Sequence, residues 1–264
     1  MEPIKFETIL IESTKLPIVN INREEFLKKE LQGRYKPEVV EKAIQYNPAY
    51  AGICVEEINK IAESCIELEA RRVTALSAAT GLPGGWTMAA TVPADIVQYY
   101  GHVLRVLQKL MYLYGWEELH LNSEELNDET MNMITLFFGV MYAVNGADNV
   151  VKKLTPLIAQ RVIKVLPKKA LTKGVIYPII KKIATQIGIK MTKPIYAKAV
   201  SKIVPIAGAV VSGGITYYSF TRMAERLREN LASSQLANVE YYKSTGSESI
   251  IDVEAVDVTE DDIW

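Results

Sequence analysis

Cysteine is nearly missing from this chain: Cys54 and Cys65 stand eleven positions apart, without CxxC spacing. That excludes a disulfide scaffold or a cysteine-clustered zinc as the organising device, and both residues read as small buried hydrophobes in a reducing compartment. Histidine is as scarce. With only His102 and His120, a metal site would need carboxylates at motif spacing, and the sequence has no HExxH, P-loop or GxSxG pattern. No metal, cofactor or catalytic residue is assigned, and the chain reads as non-enzymatic.

Long unbroken apolar runs are also lacking. A spanning helix needs ~20 mostly apolar residues to cross ~30 Å of hydrocarbon. Three stretches approach this: 73–94, 131–147 and 203–220. The first has Pro83, Gly84 and Gly85 at its centre, with Leu82 and Trp86 beside them as apolar residues for insertion or packing, the second is short and holds Asn132 and Asn145, and the third contains Pro205, Gly208, Gly213 and Gly214. Such segments suit either buried core packing or re-entrant and interfacial insertion, where broken backbone finds protein or water. Small residues at 207–214 allow close helix approach in both settings. The opening MEPIKFETIL lacks the regions of a signal peptide, so a cytoplasmic location is expected. A chain of 264 residues, 49% hydrophobic and 23% charged, has the balance of an ordinary globular protein, with enough length for a core that needs no staples.

The third lack is local. Net charge is only −1, yet no Asp or Glu occurs from 149 to 224, a stretch of 76 residues with thirteen lysines and arginines up to Lys202, plus Arg222. Lys152, Lys153, Lys168, Lys169, Lys173, Lys181, Lys182, Lys190, Lys193, Lys198 and Lys202 alternate with clusters of Ile and Val. This is the layout of amphipathic helices on an anionic membrane, and these lysines are the candidate lipid-binding residues. The bland alternative pairs them with acids at 56–69, at 124–129 or in the tail, where eight acids follow Ser233 against Lys243 alone. Nucleic acid is not expected as a partner: the pI is about 6.2, the block is poor in arginine and stacking aromatics, and no recognition motif is present.

What the sequence does contain is helical periodicity. Asn22 with Glu25 forms a capping-box pattern for a short helix to Gln32, and Pro37 is placed to open a second. Helical spacing follows at Ile58, Ile61, Ala62, Cys65, Ile66 and Leu68, then at Ile96, Tyr100, Val103, Leu107, Leu110, Met111 and Tyr114, with Gly115 as a stop. An apolar helix over 131–144 is capped at Asn122 or Ser123 and ended by Asn145 and Gly146. Others are predicted near 148–166, 175–187, 193–203 and 206–232. Asp95 falls in a first turn, where the helix dipole favours a carboxylate, and is also a candidate buried acid. Residues 1–20, with alternation at Phe6, Thr8 and Leu10, read as an irregular lead-in. The expected fold is an all-α multi-helix bundle with two small-residue-rich apolar segments. Its parts are a lead-in and short helix (1–34), a helical domain (35–232) and an acidic, disordered tail (233–264).

The stretch VTALSAATGLPGGWTMAATVPADIVQYYGHVLRVLQKLMYLYGW at 73–116 and the stretch IVPIAGAVVSGGITYYSFTRMAERLREN at 203–230 resemble the EcsC family of bacterial proteins. The resemblance spans about 35–232 and implies a cytoplasmic, mainly helical, unusually hydrophobic bacterial protein; it implies no activity. The expected function is peripheral or partly inserted association with the inner face of the cell membrane through anionic lipids. Two alternatives stand beside it: a helical module docking on an integral membrane complex such as an ABC transporter, and a membrane-perturbing oligomeric effector. Oligomeric state is not assigned.

Overall fold

The computed structural model describes residues 6–80, 94–121, 128–164, 185 and 208–245. Within them the chain forms nine α-helices and one 3-10 turn, with no strand. They are α1 (Phe6–Thr14), α2 (Arg23–Leu31), α3 (Pro37–Gln45), α4 (Val55–Thr80), α5 (Ala94–Leu113), α6 (Asp128–Met141), α7 (Ala147–Lys164), α8 (Gly208–Ala232) and α9 (Val239–Thr245), with the 3-10 turn at Gln235–Ala237. The predicted helices near 175–187 and 193–203 lie outside the described residues, apart from helical Thr185.

Local chemistry accounts for the ends. The Asn22 side chain accepts from the Glu25 N–H at 2.9 Å, and α2 carries Glu24 and Glu25 in its first turn and Lys28 and Lys29 in its last, as the helix dipole favours. Pro37 occupies the first turn of α3, where its missing N–H leaves no intrahelical bond unmade. Beyond α5 the Gly115 N–H donates to Tyr112 O and the Trp116 N–H to Met111 O. Gly115 sits at φ +91°, completing a Schellman stop that satisfies otherwise orphaned carbonyls. The same pair of bonds ends α6, from Ala143 to Val140 O and from Val144 to Gly139 O. Here the left-handed position is held by Ala143 at φ +49°. Asn145 and Gly146 were the expected terminators, so the stop lies two residues earlier and on a residue that carries a Cβ.

Helix α4, about 39 Å long at 1.5 Å per residue, is the spine: α8 runs along it and α5 packs beside it. Helix α1 rests on α5, and α6 pairs with both α7 and α8. The lead-in is therefore not irregular. Phe6, Ile9, Leu10 and Ser13 are buried at helical spacing, and the Phe6 ring meets Phe138 with centroids 5.7 Å apart; the alternation at Phe6, Thr8 and Leu10 was a short-window accident that a 3.6-residue period also satisfies. Helix α6 is sealed: Ile134, Leu136, Phe137, Phe138 and Met141 are at most 1% exposed, and Trp116 closes edge-on against Phe137 at 4.8 Å. That assigns the 131–147 segment to the core. Leu68 departs from its expected stripe and is 45% exposed.

The beginning of the tail is also built in. Tyr242 is buried and its hydroxyl accepts from Asn47 Nδ2 at 2.8 Å, while Leu236 and Ala237 enter the core. The described chain continues past 233 to Thr245, and residues 246–264 lie outside those described. In α7, Pro156 interrupts the helical ladder; the carbonyl it leaves free, Lys152 O, accepts instead from the Thr155 hydroxyl at 2.9 Å.

Candidate functional site

Of the lysines singled out in the sequence, Lys152 and Lys153 are described, both on α7; the remaining nine lie outside the described residues. Lys152 is exposed and stands 3.9 Å from Asp148, one turn earlier. The two line an open cleft of about 460 Å³ with Arg226, Glu229 and Asn230 of α8. Its walls carry both signs of charge, so at Lys152 the basic block meets acids from its flanks. Leu82, Pro83, Gly84, Gly85, Trp86 and Pro205 also lie outside the described residues, whereas Gly208, Gly213 and Gly214 belong to α8. Asp95 is the second residue of α5, its side chain outside those described.

Helix α8 has two sharply different sides. Thr216, Phe220, Met223, Ala224, Leu227 and Leu231 are buried, and Phe220 meets the Tyr99 ring of α5 edge-on at 6.2 Å. On the other side Ile215 is 63% and Tyr218 70% exposed; Arg222, one turn on, is exposed as well. At about 100° per residue, positions 215, 218 and 222 fall within one narrow stripe, roughly 150° from the centre of the buried face. No rotation of α8 hides both sets. A Cβ built on Gly214, beside this stripe, would meet nothing within 4 Å.

A second constellation was not anticipated from the sequence. Glu69, on the inner face of α4, is completely buried. Its Oε2 accepts from His102 Nδ1 at 2.7 Å, and its Oε1 accepts from Lys109 Nζ at 2.7 Å, Arg72 at 3.1 Å and Arg105 Nε at 3.2 Å. Burial alone would raise the carboxyl pKa, but the His102 bond and the charges of Lys109 and Arg105 outweigh it and hold the group well below the carboxylate range. An ionised carboxylate only accepts, so His102 Nδ1 carries the proton of this bond. One carboxylate thus faces three fixed cations. Arg105 extends the network by donating to Ile18 O, tying the segment after α1 to the same point.

The hint in the sequence was an acid set among apolar positions of α4, with His102, Arg105 and Lys109 at helical spacing on α5. Neither helix alone reveals that these faces meet. Chemically the cluster is a charge-assisted brace between α4 and α5. The nearest thiol, Cys65, lies one turn earlier on α4 and is pushed by burial up to about 11, against the pull of Lys109; at neutral pH it is a protonated core thiol. Among the described residues no group of three or more His, Cys, Asp or Glu side chains is placed to hold a metal ion.

No family model, no curated protein and no solved structure matches the chain.

Proposed function

We propose that the chain is a non-enzymatic peripheral membrane protein, held by anionic lipid on the inner face of a bacterial cell membrane. The observation that carries this reading is the outward stripe of α8, Ile215, Tyr218 and Arg222, set within 76 residues that contain no carboxylate. A basic side chain near an anionic leaflet contributes about 1 kcal/mol, so half of the block's fourteen lysines and arginines provide firm attachment. The apolar stripe adds what charge alone lacks, a surface that gains by leaving water. No helix among the described residues is long and apolar enough to cross a membrane. The resemblance to the EcsC family belongs to the same proposal, since it implies a helical, hydrophobic bacterial protein without a catalytic motif.

Flotation of the full chain with vesicles tests the reading. Co-flotation with phosphatidylglycerol-containing vesicles and little with pure phosphatidylcholine is the expected outcome; equal partition to both would sink it. A second reading, docking on an integral membrane complex, is favoured by the mixed-charge cleft around Asp148, Lys152, Arg226 and Glu229, a pattern suited to a protein surface. It requires recovery of a partner at fixed stoichiometry from detergent extract, with no binding to lipid alone.

A further inference from the structure

We infer that α8 is the element that enters the membrane, and that it does so tilted, by its N-terminal half, instead of lying flat. This rests on the anionic-membrane reading above and specifies its geometry. Along the outward side of α8 the chemistry changes in order: Gly214, Ile215 and Tyr218 are exposed first, then Arg222, then Glu229, while Glu225 is half-buried and paired with Arg228. Ile215 and Arg222 are seven residues apart, about 10 Å along the axis. That matches the ~5–10 Å depth to which interfacial helices bury their apolar side.

A flat helix would press Glu229, which is exposed on nearly the same stripe, against lipid phosphates. A tilted one places Ile215 and Tyr218 at the acyl boundary, Arg222 at the phosphates and Glu229 about 10 Å further along the axis, on the water side. Tyrosine suits the boundary, with an apolar ring and a hydroxyl that stays wet. Arg222 suits the phosphate layer through its planar set of donors. The tilt is held by the protein itself, because Phe220, Leu227 and Leu231 on the opposite side are locked in the core. Depth is limited by the first exposed acid, Glu229, since a carboxylate gains nothing among anionic headgroups.

The experiment uses the full chain in a Cys54→Ser background, with Cys65 kept as a buried thiol. An environment-sensitive NBD label is attached at Gly214→Cys or at Glu229→Cys, and the labelled proteins are mixed with phosphatidylglycerol vesicles with and without brominated acyl chains. The Gly214 label is expected to shift to the blue and be quenched by the bromines, while the Glu229 label keeps its aqueous spectrum. Equal shifts at both positions would overturn the tilt. Neither label shifting while the protein still floats with the vesicles would remove α8 as the inserting element and leave the membrane reading standing; failure to float overturns both. A concentration-dependent shift at Gly214 without vesicles would assign the stripe to a second copy of the chain and refute the inference. Independently, Ile215→Ser with Tyr218→Ser is expected to weaken vesicle affinity by at least about tenfold with an unchanged thermal transition. No loss of affinity would count against insertion.

Discussion

Replacing Glu69 by glutamine preserves its volume and removes its charge, leaving Lys109, which is almost as deeply buried, opposite a neutral amide. Breaking a buried ion pair from one side costs about 3–5 kcal/mol, because the remaining charge is left uncompensated; urea denaturation of Glu69→Gln should show a loss of that order. The pH dependence follows from the direction of the shift. Glu69 is held below its ordinary value of 4.5 in the fold, so its contribution is complete above that value and is lost as pH falls through and below it. Subtracting the Glu69→Gln stability profile from that of the unaltered protein, between pH 3 and 7, isolates this group from the surface carboxylates. The difference should be flat near neutrality and shrink toward acid. Tyr242→Phe removes the 2.8 Å bond to Asn47 and leaves that amide short of a partner, at a cost of about 1 kcal/mol.

Helix ends are where single residues decide an element. Ala143 stops α6 in the left-handed region at φ +49°, a conformation that costs a residue with a Cβ about 1–2 kcal/mol and glycine almost nothing. Ala143→Gly is therefore expected to raise stability by about 1 kcal/mol, read as a higher urea midpoint at constant slope, and an unchanged or lower midpoint would show that the strain is relieved elsewhere. Gly115 is the opposite case. It has φ +91°, and a Cβ there would stand 2.9 Å from Asn47 Nδ2, so conformation and space both require glycine. Gly115 is legible in the sequence from its position after an apolar stripe, whereas Ala143 is not, because alanine gives no sign of the conformation it is forced to adopt.

At the scale of the whole molecule, the separation of charge along the chain makes ionic strength the natural probe. Exposed charges beyond a Debye length of about 10 Å at 0.1 M salt are largely screened. Binding to phosphatidylglycerol vesicles should weaken steadily as salt is raised, leaving a residue of affinity from the Ile215 and Tyr218 stripe. A binding curve indifferent to salt would assign attachment to the apolar surface alone and remove the lysines from it. The thermal transition measured without lipid should change far less over the same range, since the brace at Glu69 is buried and poorly screened.

Helical class, the starts of α2 and α3, the stop at Gly115 and the acid-free block were all legible along the chain, because capping, dihedral restriction and charge spacing act between near neighbours. What the sequence left open was burial. Asn132 and the short apolar run around it allowed either core or membrane, and only packing against α7, α8 and Trp116 placed α6 inside. The same holds for α8, whose small and aromatic residues read as one apolar segment until α4, α5 and α6 occupied one side and left Ile215 and Tyr218 in solvent. Glu69 and its partners, 33 to 40 positions apart for α5, became a site through the docking of two helix faces. Short-range patterns determined which helices form; long-range contacts decided which faces they hide, and in α8 the acid-free stretch acquired an outward apolar surface where the helix turns its back on the core.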